Sequence, residues 1–362
     1  MAKINIVIAD SDELYLNHLT NYLIEHVNTF EVYSFTTKES LIKFVGDKSN
    51  KIDVIAFTED LMDGTISVSN IPAKILLSDG SFAQLEGYEI VNKYQKAEKF
   101  INDILMVYAE KTGRVEAVSH GDKQTMLVGF YSPVGGSGKT TLSLATAYAL
   151  ASQGKRVFYL NAEKLNSTAD VLNEAGSGSM SDVYLTVKTK GANIGLRIMA
   201  NKYTDMKTNI SYINPSESSL EINELTKDEF KKLLKEFEKL GEFDVVIVDF
   251  DGEFNKDKVS ILKTMDKIFV PFTSESMAVS KTGLFIKELK MYDEFKEIEE
   301  KMSLILNKSN NQSNAAISSN GYISDMGIQA NIALSPIFTD LKNIFHSNNS
   351  ILPAMAKVIE NL

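Results

Sequence analysis

The chain has 362 residues, 44% hydrophobic and 24% charged, enough to bury the cores of about two ordinary domains. Its 38 Lys and Arg against 48 Asp and Glu give a net charge of −10, which speaks against broad binding to nucleic-acid backbones. With no cysteine and four histidines, none at metal-ligand spacing from another, disulfides and cysteine-ligated zinc are excluded.

The N-terminal "MAKINIVIADSD" enters a strand directly and lacks a signal-peptide profile. No apolar run approaches the ~20 residues needed to span a bilayer, so a cytoplasmic protein without an integral membrane segment is expected. Hydrophobic period then predicts strand 4–10, helix 13–27, strand 30–35, helix 39–46 and strands 53–58, 73–79 and 88–92, closed by helix 96–111. Short buried strands separated by helices imply right-handed crossovers and a parallel sheet. A polar stretch with two glycines follows, so the expected organisation is a domain over 1–111, a linker over 112–124 and a second α/β domain over 125–362.

In the second domain, strand 125–131 runs straight into a glycine loop, and a small-residue helix (140–154) follows, ending at Gly154. Further strands are predicted at 156–161, 196–201, 243–250, 267–272 and 303–307. The segment 225–241 reads as a helix opened by a capping box, Thr226 with Glu229, with a core-facing stripe of Phe230, Leu233, Leu234 and Phe237. The polar stretch 307–324 is expected to be a mobile connection, and the tail "ILPAMAKVIENL" a packing helix. The fold class is thus α/β with two doubly wound parallel sheets.

The glycine loop, "SPVGGSGKTT" from Ser132 to Thr141, follows the pattern G-x-x-x-x-G-K-[ST] except at its first glycine, where Pro133 stands. Strand, loop and helix in that order make a phosphate cradle: Gly135, Gly136 and Gly138 let consecutive N–H groups converge, and the helix N-terminus adds partial positive charge. The candidate nucleotide-binding set is Gly135, Gly136, Ser137, Gly138, Lys139, Thr140 and Thr141. Lys139 is placed to neutralise β- and γ-phosphate charge and Thr140 to offer its hydroxyl to Mg²⁺. In "EFDVVIVDFDG", Asp249 puts a carboxylate at the tip of a buried strand, where the metal shell would be held. Asp249 and Gly252 form a D-x-x-G spacing typical of a γ-phosphate sensor. Asp251 is an additional acid in that loop, and two roles stand open for it: orienting a water or facing solvent.

These residues resemble the ParA/MinD superfamily of P-loop ATPases, from about 125 to the C-terminus. The resemblance implies ATP and Mg²⁺ as cofactors and a nucleotide-sandwich homodimer. It places Asn161 and Glu163, in "RVFYLNAEKLNST", where the family has an acidic D-x-D stretch. It assigns Asn307, closing "LILNK", to adenine recognition and Pro336, in "LSPIFTD", to the loop beside the base. The family's extra lysine, which reaches the partner's phosphates, is Val134 here, so hydrolysis is expected to be slow while binding is kept. Lys139, Glu163 and Asp251 are the candidate catalytic residues.

The first domain resembles a response-regulator receiver. Asp10 and Asp12 match the metal-holding acids, Ser78 the switch hydroxyl and Lys93 the phosphate-contacting lysine, but Thr58 stands where the phosphorylated aspartate should be. Glu59 is adjacent but is expected to point to the opposite face. The expectation is a receiver shell that does not accept phosphate, with Asp10 and Asp12 serving as a helix cap and solvated loop. The combination resembles the TadZ/CpaE family. That resemblance implies a polar localisation scaffold for Flp/Tad-type pilus assembly, contacting pilus or secretion machinery through the receiver-like domain near the inner membrane, with no nucleic-acid partner. The alternatives are an actively cycling MinD/ParA-type positioning ATPase on membrane or DNA, and a signalling or transcriptional regulator.

Overall fold

The computed structural model describes residues 3–26, 30–61, 68–80, 87–95, 97–112, 125–172, 178–189, 194–309, 317–333, 345 and 351–359. The chain forms two compact units: Met1–Ser119 with Lys190–Ala200, and His120–Thr189 with Asn201–Leu362. The second unit is therefore interrupted in sequence between Thr189 and Asn201. Apart from Thr112, the expected linker lies outside the described residues.

Up to residue 112 the elements are β1 (Ile4–Ala9), α1 (Glu13–His26), β2 (Phe30–Phe35), α2 (Lys38–Gly46), β3 (Val54–Thr58), β4 (Ala73–Ser78), β5 (Glu89–Asn92) and α3 (Ala97–Thr112). These strands lie in the order β2-β1-β3-β4-β5, every pair parallel. That is the doubly wound order in which the C-terminal strand ends form the ligand-facing rim. The near-continuous apolar strands are explained by burial on both faces. Alternate residues of β1 separate to the two sides: Ile4, Ile6 and Ile8 meet Leu16, Leu19 and Leu23 of α1 and Phe100 and Ile104 of α3. Val7 and Ala9 meet Leu41 of α2 together with Ile55 and Phe57.

From residue 126 the elements are β6 (Met126–Phe130), α4 (Lys139–Ser152), β7 (Val157–Ala162), α5 (Thr168–Val171), α6 (Met180–Lys188), α7 (Ile194–Asn201), β8 (Tyr203–Thr204) and β9 (Ile210–Tyr212). Then follow α8 (Ser219–Asn223), α9 (Lys227–Leu240), β10 (Val245–Phe250), α10 (Lys256–Leu262), β11 (Lys267–Thr273), α11 (Ser276–Leu289), α12 (Phe295–Lys301), β12 (Met302–Ser309), α13 (Gly321–Met326), β13 (Ala330–Ala333) and α14 (Ile351–Val358). The sheet order is β13-β12-β11-β6-β10-β7-β9-β8, parallel throughout except the antiparallel β8–β9 edge.

The expected strand at 196–201 is the helix α7 instead. Its buried residues are Ile194, Gly195, Leu196 and Ile198, and the stretch LRIMAN, with four apolar residues in six, is too short to distinguish the two periods. The expected mobile connection at 307–324 is in part ordered: β12 extends to Ser309, and α13 starts at Gly321 with Asn320 Oδ1 accepting from the Ile323 N–H. The described part of the tail is helical as expected, with Ile351 and Met355 of α14 buried in the same core cluster as Leu142, Ala145 and Ala149 of α4.

Helix α9 shows how local signals seat an element. Its capping box is complete, Glu229 N–H to Thr226 Oγ1 at 3.3 Å and Thr226 N–H to Glu229 Oε2 at 2.8 Å, and Gly241 closes it at φ 58°. Its stripe is buried, and Phe237 stacks on Phe158 of β7 with ring centroids 4.6 Å apart. Strand β10 is thereby fixed in the middle of the sheet between β6 and β7, which brings the strand ends carrying Asn161 and Asp249 side by side. Among the described residues, no helix is long and apolar enough to cross a membrane.

Candidate functional site: a phosphate cradle at the ends of β6, β7 and β10

Strand β6 delivers the chain into the loop, and α4 carries it away. Gly136 and Gly138 have φ of 72° and 86°, a conformation that costs an L side chain about 1 kcal/mol or more. Gly138 is also the N-cap of α4, and its carbonyl accepts the Leu142 N–H at 2.9 Å. A Cβ at Gly138 would lie 2.2 Å from Asn307 Nδ2, so both the dihedral and the close approach require glycine. Helix α4 is almost entirely buried through alanines and leucines, and the sequence has no reason to start it anywhere but at the loop. The loop lines a cleft of about 360 Å³ together with Ser132, Val134, Lys139, Thr140, Thr141, Glu163, Gly252 and Lys308. Gly252 closes one wall, where a Cβ would meet the Ser132 carbonyl oxygen at 3.1 Å.

Lys139 sits at the centre of a charge cluster. Its ammonium lies 2.6 Å from Glu163 Oε1 and 2.8 Å from Asp249 Oδ1, with its side chain one-tenth exposed. Asp249 is fully buried, and its other oxygen accepts the Tyr159 hydroxyl at 2.8 Å. Burial, then the charge of Asp249, push the Tyr159 phenol well above its usual range, so it stays a donor. For Lys139 burial acts downward, but the two carboxylates outweigh it and hold the ammonium above its usual value. Glu163 is raised, first by burial and then by the charge of Asp249, with Lys139 pulling the other way. Asn161 is buried, and its Oδ1 accepts the Glu163 N–H at 2.9 Å. It thus shapes the turn that aims Glu163, while its Nδ2 is buried with no hydrogen-bond partner.

Two expected site residues make contacts that the sequence did not indicate. Asp251 does not line the loop's cleft: Oδ1 pairs with the Lys258 ammonium at 2.9 Å, in a second cleft of about 250 Å³ beside Phe230 and Phe250. Asn307, assigned to the base by resemblance, turns its amide to the loop, with Nδ2 donating to the Ser137 carbonyl at 2.8 Å and Oδ1 accepting the Lys308 N–H at 2.9 Å. One amide N–H and one lone pair remain for another partner. Pro336 lies outside the described residues. Lys308 is the residue that sequence reasoning missed. It was visible in "LILNK" but had no role until the fold brought its ammonium within 2.9 Å of the Gly136 carbonyl.

This donor set fits a nucleoside triphosphate with a divalent cation: glycines with left-handed backbone form the loop, a 14-residue helix begins there, and the lysine is held in place by acids. Thr140 and Asp249 would hold the cation. Among the described residues no three acids or histidines are arranged to hold a metal by themselves. Octahedral Mg²⁺ at this site would take its other ligands from phosphate oxygens and water.

The first unit carries a related but barer rim. Asp10 is not in a solvated loop, as expected, but buried, with Oδ2 2.9 Å from the Lys93 ammonium. Asp12 caps α1, its Oδ1 accepting the Tyr15 N–H at 3.0 Å. Thr58 and Ser78, with Asp60, Asp79 and Lys93, line a cleft of about 460 Å³. Asp60, which the sequence reading did not weigh, belongs to that rim, and so does Glu59, which was expected to point to the opposite face; the 3-10 turn that starts at Glu59 ends the strand alternation on which that expectation rested. Burial raises the Asp60 carboxyl, but the nearby Ser11 and Thr58 hydroxyls, aided by Lys93, outweigh this and leave it below the usual value.

Comparison with known proteins matches two successive stretches of the chain. Residues 2–109 match the family model described as "TadZ-like, receiver domain", and residues 126–304 match that of an AAA domain. Similar solved structures include a ParA family ATPase from Chlorobium tepidum, at 16% identity and TM-score 0.52 over 65% of this chain and 97% of that one. They also include the septum site-determining protein MinD complexed with Mg-ADP from Pyrococcus horikoshii, at 15% identity and TM-score 0.51 over 66% and 96%. A variant of McdA from Cyanothece, in complex with ATP, matches at 15% identity and TM-score 0.52 over 66% and 96%. At such identities the likeness establishes the fold. No curated protein sequence matches the chain. Receiver rim, glycine cradle and the two family models together place the chain with proteins that join a TadZ-like receiver domain to an AAA-type P-loop domain of ParA/MinD fold.

Proposed function

We propose that this protein is an ATP-gated, homodimeric switch with slow hydrolysis, acting in the cytoplasm as a polar localisation scaffold for Flp/Tad-type pilus assembly. The observation that carries the switch is the make-up of the cradle. Lys139 and the glycine loop are fully formed, while Val134 on the same cleft has no charge to offer a partner's phosphates. A trans cation is worth ~10³–10⁵ in phosphoryl-transfer rate and far less in binding, so its loss separates holding from cleaving. Bound Mg²⁺, held by Thr140 and Asp249, would supply charge neutralisation to the phosphates; Lys139 binds and orients the phosphates, and Asn161 positions Glu163 to hold a water. The pilus role rests on the TadZ-like match of the first unit, and homodimerisation on the ParA/MinD resemblance.

Light scattering with and without ATP·Mg²⁺, on wild type and Lys139→Ala, tests the switch: a dimer that forms with nucleotide in wild type alone supports it. Calorimetry finding no affinity for ATP·Mg²⁺, or single turnover as fast as efficient P-loop ATPases, would sink it. A fluorescent fusion that stays diffuse in cells building such pili would remove the polar role. The receiver-like unit is expected to remain unmodified by acetyl phosphate. A phosphoryl adduct on Asp60 in intact and peptide mass spectra would instead make it a working receiver with a displaced acceptor.

A further inference from the structure

We infer that Lys308 is a phosphate-directed cation supplied from within the same chain, docked on the cradle in advance of the nucleotide. This rests on the nucleotide-binding reading above and adds a residue to it. Lys308 adopts φ 54°, a left-handed backbone that is uncommon for a lysine. Two local features produce it. The pairing of β12 with β13 shifts register between Leu306 and Ser309, and Asn307 Oδ1 captures the Lys308 N–H. The turn sends the long side chain across to the loop, 172 residues away in sequence, where Nζ meets the Gly136 carbonyl.

The charge balance of the cleft gives that contact a purpose. Of the cations lining it, Lys139 is already held by two carboxylates. Lys308 has no carboxylate partner among the described residues, and it is exposed. Its present acceptor is a neutral carbonyl, whereas a phosphate oxygen makes a shorter and roughly twice stronger charge-assisted bond. An ammonium has three N–H donors, so Lys308 can keep Gly136 and still reach a phosphate at the mouth of the cleft. Asn307, donating to the adjacent Ser137 carbonyl, fixes the loop from the same side, so the cradle is already braced when ligand enters.

The test is calorimetry of the full chain with ADP and with a non-hydrolysable ATP analogue, each with Mg²⁺, over a series of salt concentrations. Lys308→Ala and Lys308→Gln are expected to weaken binding about ten- to hundredfold and to flatten its salt dependence, while Lys308→Arg keeps most of both. Amide exchange of residues 132–138 without nucleotide is expected to quicken in the Ala and Gln variants. Binding by Lys308→Gln within twofold of wild type overturns the inference. So does weakened binding with an unchanged salt dependence, because Lys308 would then be a brace and not a cation for phosphate. Failure of wild type itself to bind nucleotide overturns the reading beneath it, a separate result.

Discussion

Both units place a buried acid against a lysine at the C-terminal rim of a parallel sheet, yet only one of them builds a cradle there. In the first unit Asp10 meets Lys93 at 2.9 Å; in the second Asp249 meets Lys139 at 2.8 Å. Around Lys93 lie the rings of Tyr15 and Tyr94, with centroids 5.3 and 5.1 Å from its ammonium, and the hydroxyls of Thr58 and Ser78 on the same cleft. Around Lys139 lie left-handed glycines and the first turn of a long helix. An acid–lysine pair is therefore a structural device in either place. It becomes a site where converging backbone N–H groups give an anion more donors than the pair alone provides.

Paired substitutions break this comparison most sharply. Lys139→Ala and Lys93→Ala each leave a buried aspartate without its cation and are expected to destabilise their own unit by about 3–5 kcal/mol. Lys139→Ala should in addition weaken ATP binding by about two orders of magnitude, whereas Lys93→Ala should leave it unchanged, as calorimetry below the unfolding temperature would show. Loss of nucleotide binding in Lys93→Ala would put the ligand in the wrong unit.

Gly138→Ala comes next, because the methyl group would collide with Asn307 and sit at φ 86°. Strain of about 1–3 kcal/mol in the loop should weaken nucleotide binding roughly tenfold, with little change at a glycine such as Gly154, where a Cβ would meet open space at the far end of α4 and only the dihedral is strained. Val134→Lys restores a cation to the cleft and is expected to raise single-turnover hydrolysis about tenfold or more, with binding altered less than rate. A rate that does not move would mean that Asn161 and Glu163, not Val134, limit the chemistry.

The smallest effect is on pH dependence. Because burial and Asp249 hold the Glu163 carboxyl above its usual value of 4.5, its ionised form is a net cost to the folded state at neutral pH. That cost fades as pH falls through the raised value and the carboxyl takes up its proton. Glu163→Gln, which resembles the protonated form, should therefore unfold at most a few degrees above wild type at pH 7, with the gap closing toward pH 5. A gap that widens on acidification would mean that the Lys139 pair dominates Glu163.

Much of the second unit could be read from residue order because its signals are local. A strand of four apolar residues before Asp249, a glycine loop before a small-residue helix, and Thr226 with Glu229 each specify their own backbone within a few positions. The misread segment at 196–201, which belongs to the first unit as far as Ala200, shows the limit, since six residues do not carry the helical period of α7. Asp251 kept two roles open for a different reason. Its place in the sequence after Asp249 was informative, but its partner, Lys258, was chosen by the start of α10. Asp60 was missed because the 3-10 turn Glu59–Leu61 after β3 redirects the chain just where strand alternation stops applying.

By itself, then, the sequence determined which backbone turns exist and which charges accompany them, since glycine dihedrals, caps and buried strand tips are properties of short segments. Only the tertiary structure decided which of those charges meet. Glu163 and Asp249 converge on Lys139 while Tyr159 holds Asp249, and Asn307 and Lys308 clasp a loop 170 and 172 residues earlier in the chain. Such encounters depend on strand order across the sheet, and strand order is fixed by the packing of the whole core, which no single stretch of residues contains.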